Sequence, residues 1–137
     1  MKKLLLFFVW VCLASLGNSQ TALKPYDLDD LKLDVAEYHK VPLSAITFLE
    51  VRKYGSESFV YTRLTKDAKP ITWVTGLSQN PGGGIPFVGG SITCGGVGCA
   101  ECDIDGGLKI EDMYCSCKKR VADGGYCNMT KSIGVNP

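Results

Sequence analysis

The chain opens with a short basic region followed by an uninterrupted apolar stretch. Leu4–Leu16 carries one hydroxyl group and no charge, and two lysines precede it. This order, with small residues after the stretch, is typical of a secretory signal peptide. The stretch is shorter than the roughly 20 residues that a spanning helix needs, which disfavours the alternative of an N-terminal membrane anchor. We predict a signal peptide over residues 1–19, cleaved after Ser19 or, as the alternative, after Gly17.

The next periodic segment predicts a helix from about Asp27 to His39. Its apolar side chains recur every three or four positions and so share one helical face. They are Leu28, Leu31, Val35 and Tyr38. Asp27 is suited to cap the first turn, and Pro42 prevents continuation beyond the end.

Three strand patterns follow the helix. Residues 45–54, 59–65 and 71–75 are rich in β-branched and aromatic side chains, and turn residues separate them. The first two strands predict a hairpin around Gly55. The order of one helix and then three strands predicts an α+β fold in which the N-terminal helix packs on a small antiparallel sheet.

Beyond residue 76 the composition changes to glycine and cysteine. We predict a small α+β module over residues 20–76 and a Gly/Pro-rich linker over residues 77–93. Residues 94–137 then form a cysteine-rich segment, expected to be disulfide-rich and loop-rich because it holds few large apolar side chains.

Residues 28–64 resemble the helix-and-hairpin start of the cystatin superfamily. The resemblance lies in the run Leu33–Lys40, followed by a strand, a tight turn and a second strand. It implies a helix packed on a sheet. Cystatins block papain-like proteases with a hairpin that carries a Gln-x-Val-x-Gly loop, whereas the corresponding turn here is Lys53–Glu57. The segment Trp73–Gly76 retains only a fragment of that loop.

Cysteines carry the strongest chemical signal in the chain. Of the seven, Cys12 lies in the predicted signal peptide. The other six are Cys94, Cys99, Cys102, Cys115, Cys117 and Cys127. An even number in an exported chain predicts three disulfides, and six cysteines allow fifteen pairings that the sequence does not distinguish. Cys115 and Cys117 are expected to pair with different partners.

Two metal sites compete with the disulfides for the same sulfurs. Cys94, Cys99 and Cys102 have the C-x4-C-x2-C spacing that begins a plant-type ferredoxin site for an iron–sulfur cluster. Zinc is the second alternative, with a set of four thiolates from Cys99, Cys102, Cys115 and Cys117. We favour disulfides because an exported chain folds in an oxidising compartment.

Acidic residues near these cysteines suggest a third, calcium-binding alternative. They are Glu101, Asp103, Asp105, Glu111 and Asp112. The run Asp103–Gly106 begins like an EF-hand loop, but Gly107 and Leu108 then break its pattern. A solvated acidic loop is the favoured interpretation, and we predict no metal or cofactor site.

Charge and the inventory of catalytic side chains restrict the function. The chain has 15 Lys or Arg and 14 Asp or Glu, so removing Lys2 and Lys3 with the signal peptide leaves a net charge of about −1. That balance argues against a nucleic-acid partner. His39, the single histidine, is expected at the surface or at the helix end, and without a free thiol it supports no Cys–His dyad.

These observations predict a secreted or periplasmic protein stabilised by disulfides, without catalytic residues and without a membrane span once the signal peptide is removed. Its expected role is to bind or interact with an extracytoplasmic protein. The alternatives are a protease inhibitor of cystatin-like type and a protein that binds a metal or an iron–sulfur cluster through the C-x4-C-x2-C run.

Overall fold

A computed structural model describes residues 26–78, 86–132 and 134 of the chain. The predicted signal peptide and part of the predicted linker, residues 79–85, lie outside the described residues. The elements are α1 Leu28–His39, a 3-10 turn Leu43–Ala45, β1 Ile46–Tyr54, β2 Glu57–Lys66, β3 Lys69–Leu77, β4 Phe87–Val97, β5 Cys99–Gly106, a 3-10 turn Ile110–Asp112, β6 Met113–Arg120 and β7 Tyr126–Ser132.

Both ends of α1 are closed by local hydrogen bonds. The Asp27 carboxylate accepts a bond from the Asp29 backbone N–H at 2.9 Å, which satisfies one of the free donors of the first turn. At the other end Lys40 adopts the left-handed conformation with φ 55°, and the Val41 N–H returns to the Ala36 carbonyl. The predicted bounds of the helix are confirmed to within one residue.

The buried face of α1 is rotated relative to the face that the spacing of apolar residues predicted, and it consists of Leu31, Val35, Ala36 and His39. Leu31 and Val35 are fully buried, whereas Leu28 and Tyr38 are each about half exposed. Tyr38 still contributes to packing, since its ring stacks on that of Trp73 at 5.1 Å between centroids. In the parts of the chain that the structure describes, no helix is both long and apolar enough to cross a membrane.

Most of the residues that the structure describes belong to antiparallel sheet. Five strands form one sheet in the order β1-β2-β3-β4-β7, and β5 and β6 form a separate two-stranded hairpin. The predicted β1–β2 hairpin is confirmed, with Tyr54 paired to Glu57 across the Gly55–Ser56 turn. The sheet, rather than the helix, therefore dominates the fold.

The five-stranded sheet is covered on both faces, because its strands alternate two apolar sets. In β2, Val60 and Leu64 pack with the helix, while Phe59 and Tyr61 pack with the β5–β6 hairpin. The two clusters share no buried residue. The cluster beneath the helix draws on residues 26–77 and Phe87, so the N-terminal half supplies nearly all of that core.

Composition predicted a loop-rich C-terminal segment, and for the described residues that prediction is wrong. Strands β5, β6 and β7 occupy most of residues 99–132, and β4 crosses the predicted boundary between linker and cysteine-rich segment. In β4, Ile92 and Cys94 are fully buried on the face toward the hairpin. Disulfide-bonded cysteines thus occupy buried positions that large apolar residues occupy in the rest of the sheet. A prediction based on the number of large apolar residues therefore missed these strands.

Candidate functional site

Three disulfides attach the β5–β6 hairpin to the sheet. They are Cys94–Cys115, Cys99–Cys117 and Cys102–Cys127. The first joins β6 to β4, the second closes β5 on β6, and the third joins β5 to the edge strand β7. The prediction of three bridges from these six cysteines is supported, and Cys115 and Cys117 do pair with different partners.

Two of the bridges lie against each other. The Sγ atom of Cys127 is 3.6 Å from that of Cys99, although the two residues belong to different disulfides. The Sγ atoms of Cys99, Cys117 and Cys127 all lie within 4.8 Å of one another. Cys102 lies outside that group of three and is connected to it through its bridge to Cys127. We call the four cysteines of these two bridges, Cys99, Cys102, Cys117 and Cys127, the sulfur cluster. Among the described residues, the cysteines of the Cys94–Cys115 bridge belong to no such group.

The cysteines of both metal sites that spacing predicted are spread over three different disulfides. Cys94, Cys99 and Cys102 belong to three different bridges, so the C-x4-C-x2-C run offers no set of free thiolates while the disulfides are intact. The predicted zinc set is likewise distributed over all three bridges, and it omits Cys127, which does lie in the sulfur cluster.

Three of the five predicted calcium ligands face cations of this chain. Glu101 and Asp103 both approach the Arg63 guanidinium, at 3.2 and 3.6 Å. Asp105 accepts hydrogen bonds from the Lys118 ammonium at 2.5 Å and from the Ser116 hydroxyl. These bonds hold the pKa of the Asp105 carboxyl below its usual range and raise the pKa of Lys118. Acid–base pairing thus engages three of the five predicted ligands.

A polar network connects the sheet to the hairpin beneath these ion pairs. The Tyr61 hydroxyl donates to the Asp103 carboxylate, and the Arg52 guanidinium lies 3.8 Å from the centre of the Tyr61 ring. Burial, followed by the bond to Asp103, raises the pKa of Tyr61. The Thr72 hydroxyl donates to the Cys102 carbonyl at 2.5 Å. The sequence analysis did not predict this network. Arg63 could have indicated it, because this charged residue follows Phe59 and Tyr61 on the face of β2 that packs against the hairpin.

Exposed apolar side chains gather at one end of the sheet. Val97, in the last position of β4, pairs with Tyr126, in the first position of β7, and both are about half exposed. Val121 is 65% exposed, and its backbone N–H donates to the Gly98 carbonyl at 3.0 Å. We call Val97, Val121 and Tyr126 the end patch. Exposed apolar clusters of this kind mark interaction surfaces more often than single exposed residues do.

The loop that carries the end patch is held tightly. The Ala122 N–H also donates to the Gly98 carbonyl, at 3.3 Å. A Cβ atom at Gly125 would lie 2.0 Å from that same carbonyl oxygen, so only glycine fits this position. Lys118–Arg120 immediately precede the loop in β6 and are exposed. The end patch is therefore a fixed surface with a basic border.

His39 closes α1 as predicted, but it is buried rather than at the surface. Only 7% of the residue is exposed, and its ring meets that of Trp73 edge-on at 4.6 Å between centroids. Burial, and secondarily the Lys66 ammonium, lowers the pKa of His39 to about 4. The imidazole is consequently neutral at physiological pH, and its aromatic neighbours make it part of the core.

Comparison with known proteins found no match: no family model, no curated protein and no solved structure is significantly similar to this chain. The similarity of residues 28–64 to the cystatin helix and hairpin therefore stays a resemblance of pattern.

Proposed function

We propose that this chain is an exported, non-catalytic binding protein that contacts an extracytoplasmic protein through the end patch. The observation that carries the proposal is the exposure of three large apolar side chains on a loop and two strand ends that disulfides and close backbone contacts hold in place. A signal peptide over residues 1–19 would bring this surface outside the cytoplasm.

Rigidity is what makes the end patch suitable for binding. Association costs free energy for every side chain and loop that must be ordered at an interface, and a surface that is already ordered avoids much of that cost. Two strands meet at the patch: β4 is bridged by Cys94–Cys115, and β7 by Cys102–Cys127. The disulfides thus support recognition as well as stability.

The border of the patch indicates the kind of partner. Lys119 and Arg120 place two exposed cations beside an apolar centre, while the Lys118 ammonium is paired with Asp105. Such a surface fits a protein whose contact area combines apolar side chains with carboxylates at its rim, since charge complementarity steers encounter and selects partners. The near-neutral charge of the whole chain gives no comparable attraction to nucleic acid.

A binding experiment with matched variants tests the proposal. The labelled exported protein is titrated onto the extracytoplasmic fraction of the organism that produces it. The double variant Val121→Ser/Tyr126→Ser removes the patch, while Leu33→Ser changes an equally exposed apolar residue on α1. We expect saturable binding that the double variant loses and Leu33→Ser retains. Equal binding by both variants, or no saturable binding by the wild-type protein at micromolar concentration, would refute the proposal.

The second candidate is the cystatin-like inhibitor, and one feature of the strand register favours it. Ser58 and Phe87 both pair with Leu77, so the Gly55–Ser56 turn lies at the same end of the sheet as the end of β3 and the start of β4. A hairpin turn at the end of a sheet is an edge that could enter a protease cleft. Residual papain activity in the presence of the purified protein is the direct assay. Undiminished activity at micromolar inhibitor removes this candidate.

A further inference from the structure

We infer that the reduced chain binds one zinc ion through all four sulfurs of the sulfur cluster, Cys99, Cys102, Cys117 and Cys127. The disulfides and the zinc site are then two redox states of the same four side chains. This site differs from the set that sequence spacing predicted, because Cys127 replaces Cys115.

The distances among three of the four sulfurs fit a tetrahedral site. Zinc–thiolate bonds of about 2.3 Å place neighbouring sulfurs of a tetrahedron about 3.8 Å apart. The Sγ atoms of Cys99 and Cys127, which are not bonded to each other, are already 3.6 Å apart. The Sγ atom of Cys117 lies within 4.8 Å of both. The Sγ atom of Cys102 is bonded to that of Cys127 at 2.02 Å but lies outside the group of three, so it must move closer to complete the tetrahedron.

Only short movements separate the two states. Reduction frees the sulfurs of each bridge, which must then move from a bond length of about 2 Å to about 3.8 Å. The Cα atoms are 6.0 Å apart in the Cys99–Cys117 pair and 5.9 Å apart in the Cys102–Cys127 pair. Rotation of the side chains about their Cα–Cβ bonds supplies the movement while the strand pairing stays as it is.

Burial gives the site an inner and an outer side. Cys99 and Cys102 are buried, at 6% and 7% exposure, whereas Cys117 and Cys127 are only partly buried. A reductant and then the ion can therefore approach from the side of Cys117 and Cys127. Loss of two disulfides removes constraints on the unfolded chain, and one bound ion that joins β5, β6 and β7 restores a cross-link among the same strands.

The chemistry balances with a dithiol as the reductant. Two dithiol molecules deliver four electrons and four protons to the two bridges and leave as two disulfides, which converts the cluster to four thiols. Zinc then displaces the four thiol protons and binds four thiolates, giving a site of charge −2. Cys94–Cys115 takes no part, since neither of its sulfurs belongs to the group of Cys99, Cys117 and Cys127 or is bonded to a member of it.

The experiment uses the purified full chain, oxidised or reduced with excess dithiol and then freed of reductant without oxygen. Zinc is titrated in competition with a chromophoric chelator, and cobalt is added separately to report the ligand geometry. We expect no binding by the oxidised protein and one ion per reduced chain, with the strong visible absorption of tetrahedral cobalt–thiolate coordination. Near-UV circular dichroism follows whether the ion restores fixed packing around the aromatic side chains.

Matched cysteine variants separate this site from unspecific thiol binding. Cys127→Ser removes a proposed ligand, so zinc affinity should fall by more than the roughly 10- to 100-fold that loss of an outer-shell partner costs. Cys115→Ser removes a cysteine of the predicted zinc set that lies outside the cluster, and Cys94→Ser/Cys115→Ser removes the third bridge. Both should bind zinc like the reduced wild-type chain. Equal weakening in Cys115→Ser and Cys127→Ser, or no stoichiometric zinc binding by the reduced wild-type protein, would overturn the inference.

Discussion

Acid should destabilise this protein through His39. The imidazole is almost completely buried at the end of α1, against the Trp73 ring. Burial and the nearby Lys66 ammonium lower its pKa to about 4. The pKa of an unfolded histidine is near 6.5, so between about pH 4 and 6.5 the unfolded chain binds a proton that the folded chain does not. Few other side chains titrate in this pH range.

The sign and size of the effect follow from that difference. Above about pH 6.5 the imidazole is neutral in both states, and the stability is fully present. As the pH falls toward 4, the unfolded chain takes up a proton that the folded chain excludes, so the free energy of unfolding decreases. A separation of about 2.5 pKa units corresponds to about 3 kcal/mol, and below about pH 4 the loss levels off.

Urea unfolding at a series of pH values from 7.5 to 4.5 measures this loss. The fluorescence of Trp73, which lies against the imidazole, reports the transition. His39→Gln removes the titration while keeping a neutral polar side chain. Asp34, whose pKa is raised by burial and by neighbouring carboxylates, and Asp105, whose pKa is lowered, are present in both proteins and cancel in the comparison.

We expect the stability of the wild-type protein to fall by about 2.5 kcal/mol over this series relative to His39→Gln, because pH 4.5 is still above the folded pKa of about 4. The variant should be less stable than the wild-type protein at pH 7.5, because the ring contact is lost, and the two should converge on acidification. Parallel pH profiles would refute the reasoning, since they would show that His39 takes up its proton equally in the folded and unfolded states.

Three further substitutions test the packing by urea unfolding at pH 7.5. Gly96→Ala should cost about 1–3 kcal/mol, because its Cβ would lie 2.0 Å from a backbone carbonyl oxygen. The control Gly95→Ala meets only an ordinary contact and should change stability by less than about 0.5 kcal/mol. Similar losses in the two variants would contradict the close approach at Gly96. Leu31→Ala should cost about 2–5 kcal/mol and the exposed Leu33→Ala less than about 0.5, so equal effects would contradict the packing of α1 on the sheet. Cys115→Ser opens a bridge between residues 21 apart and should cost about 3 kcal/mol, and an unchanged midpoint would argue against that bridge.

The N-terminal half was predictable because its signals are local. The spacing of Leu31 and Val35, the cap at Asp27 and the stop at Pro42 all act within a few residues of where they stand, and α1 matches the prediction closely. The same holds for β1 and β2, whose turn is marked by Gly55. Exposure was less predictable, since whether Tyr38 is covered depends on which strands lie beneath it.

The C-terminal half was not predictable in the same way, because its burial depends on partners distant in sequence. Cys94 is fully buried through contacts with the hairpin, and no property of its neighbours in the chain shows this. The pairing of the cysteines likewise follows from strand neighbours. Cys127 reaches Cys102 only because β7 returns to the edge of the sheet beside β4. The end patch also depends on the pairing of β7 with β4, which places Tyr126 opposite Val97.

In the C-terminal half, glycines allow close approach of the backbone and cysteines cross-link the strands that result. The chain can turn sharply from β4 into the hairpin only where a side chain is absent, and Gly96 opposite the Cys99 carbonyl provides such a place. Close packing without large side chains buries little apolar surface, so the cross-links must supply the missing stability. A core of this kind leaves large apolar side chains such as Tyr126 and Val121 free to remain at the surface. Their exposure costs the fold little, because the disulfides already hold the strands that carry them, and it leaves them available to a partner.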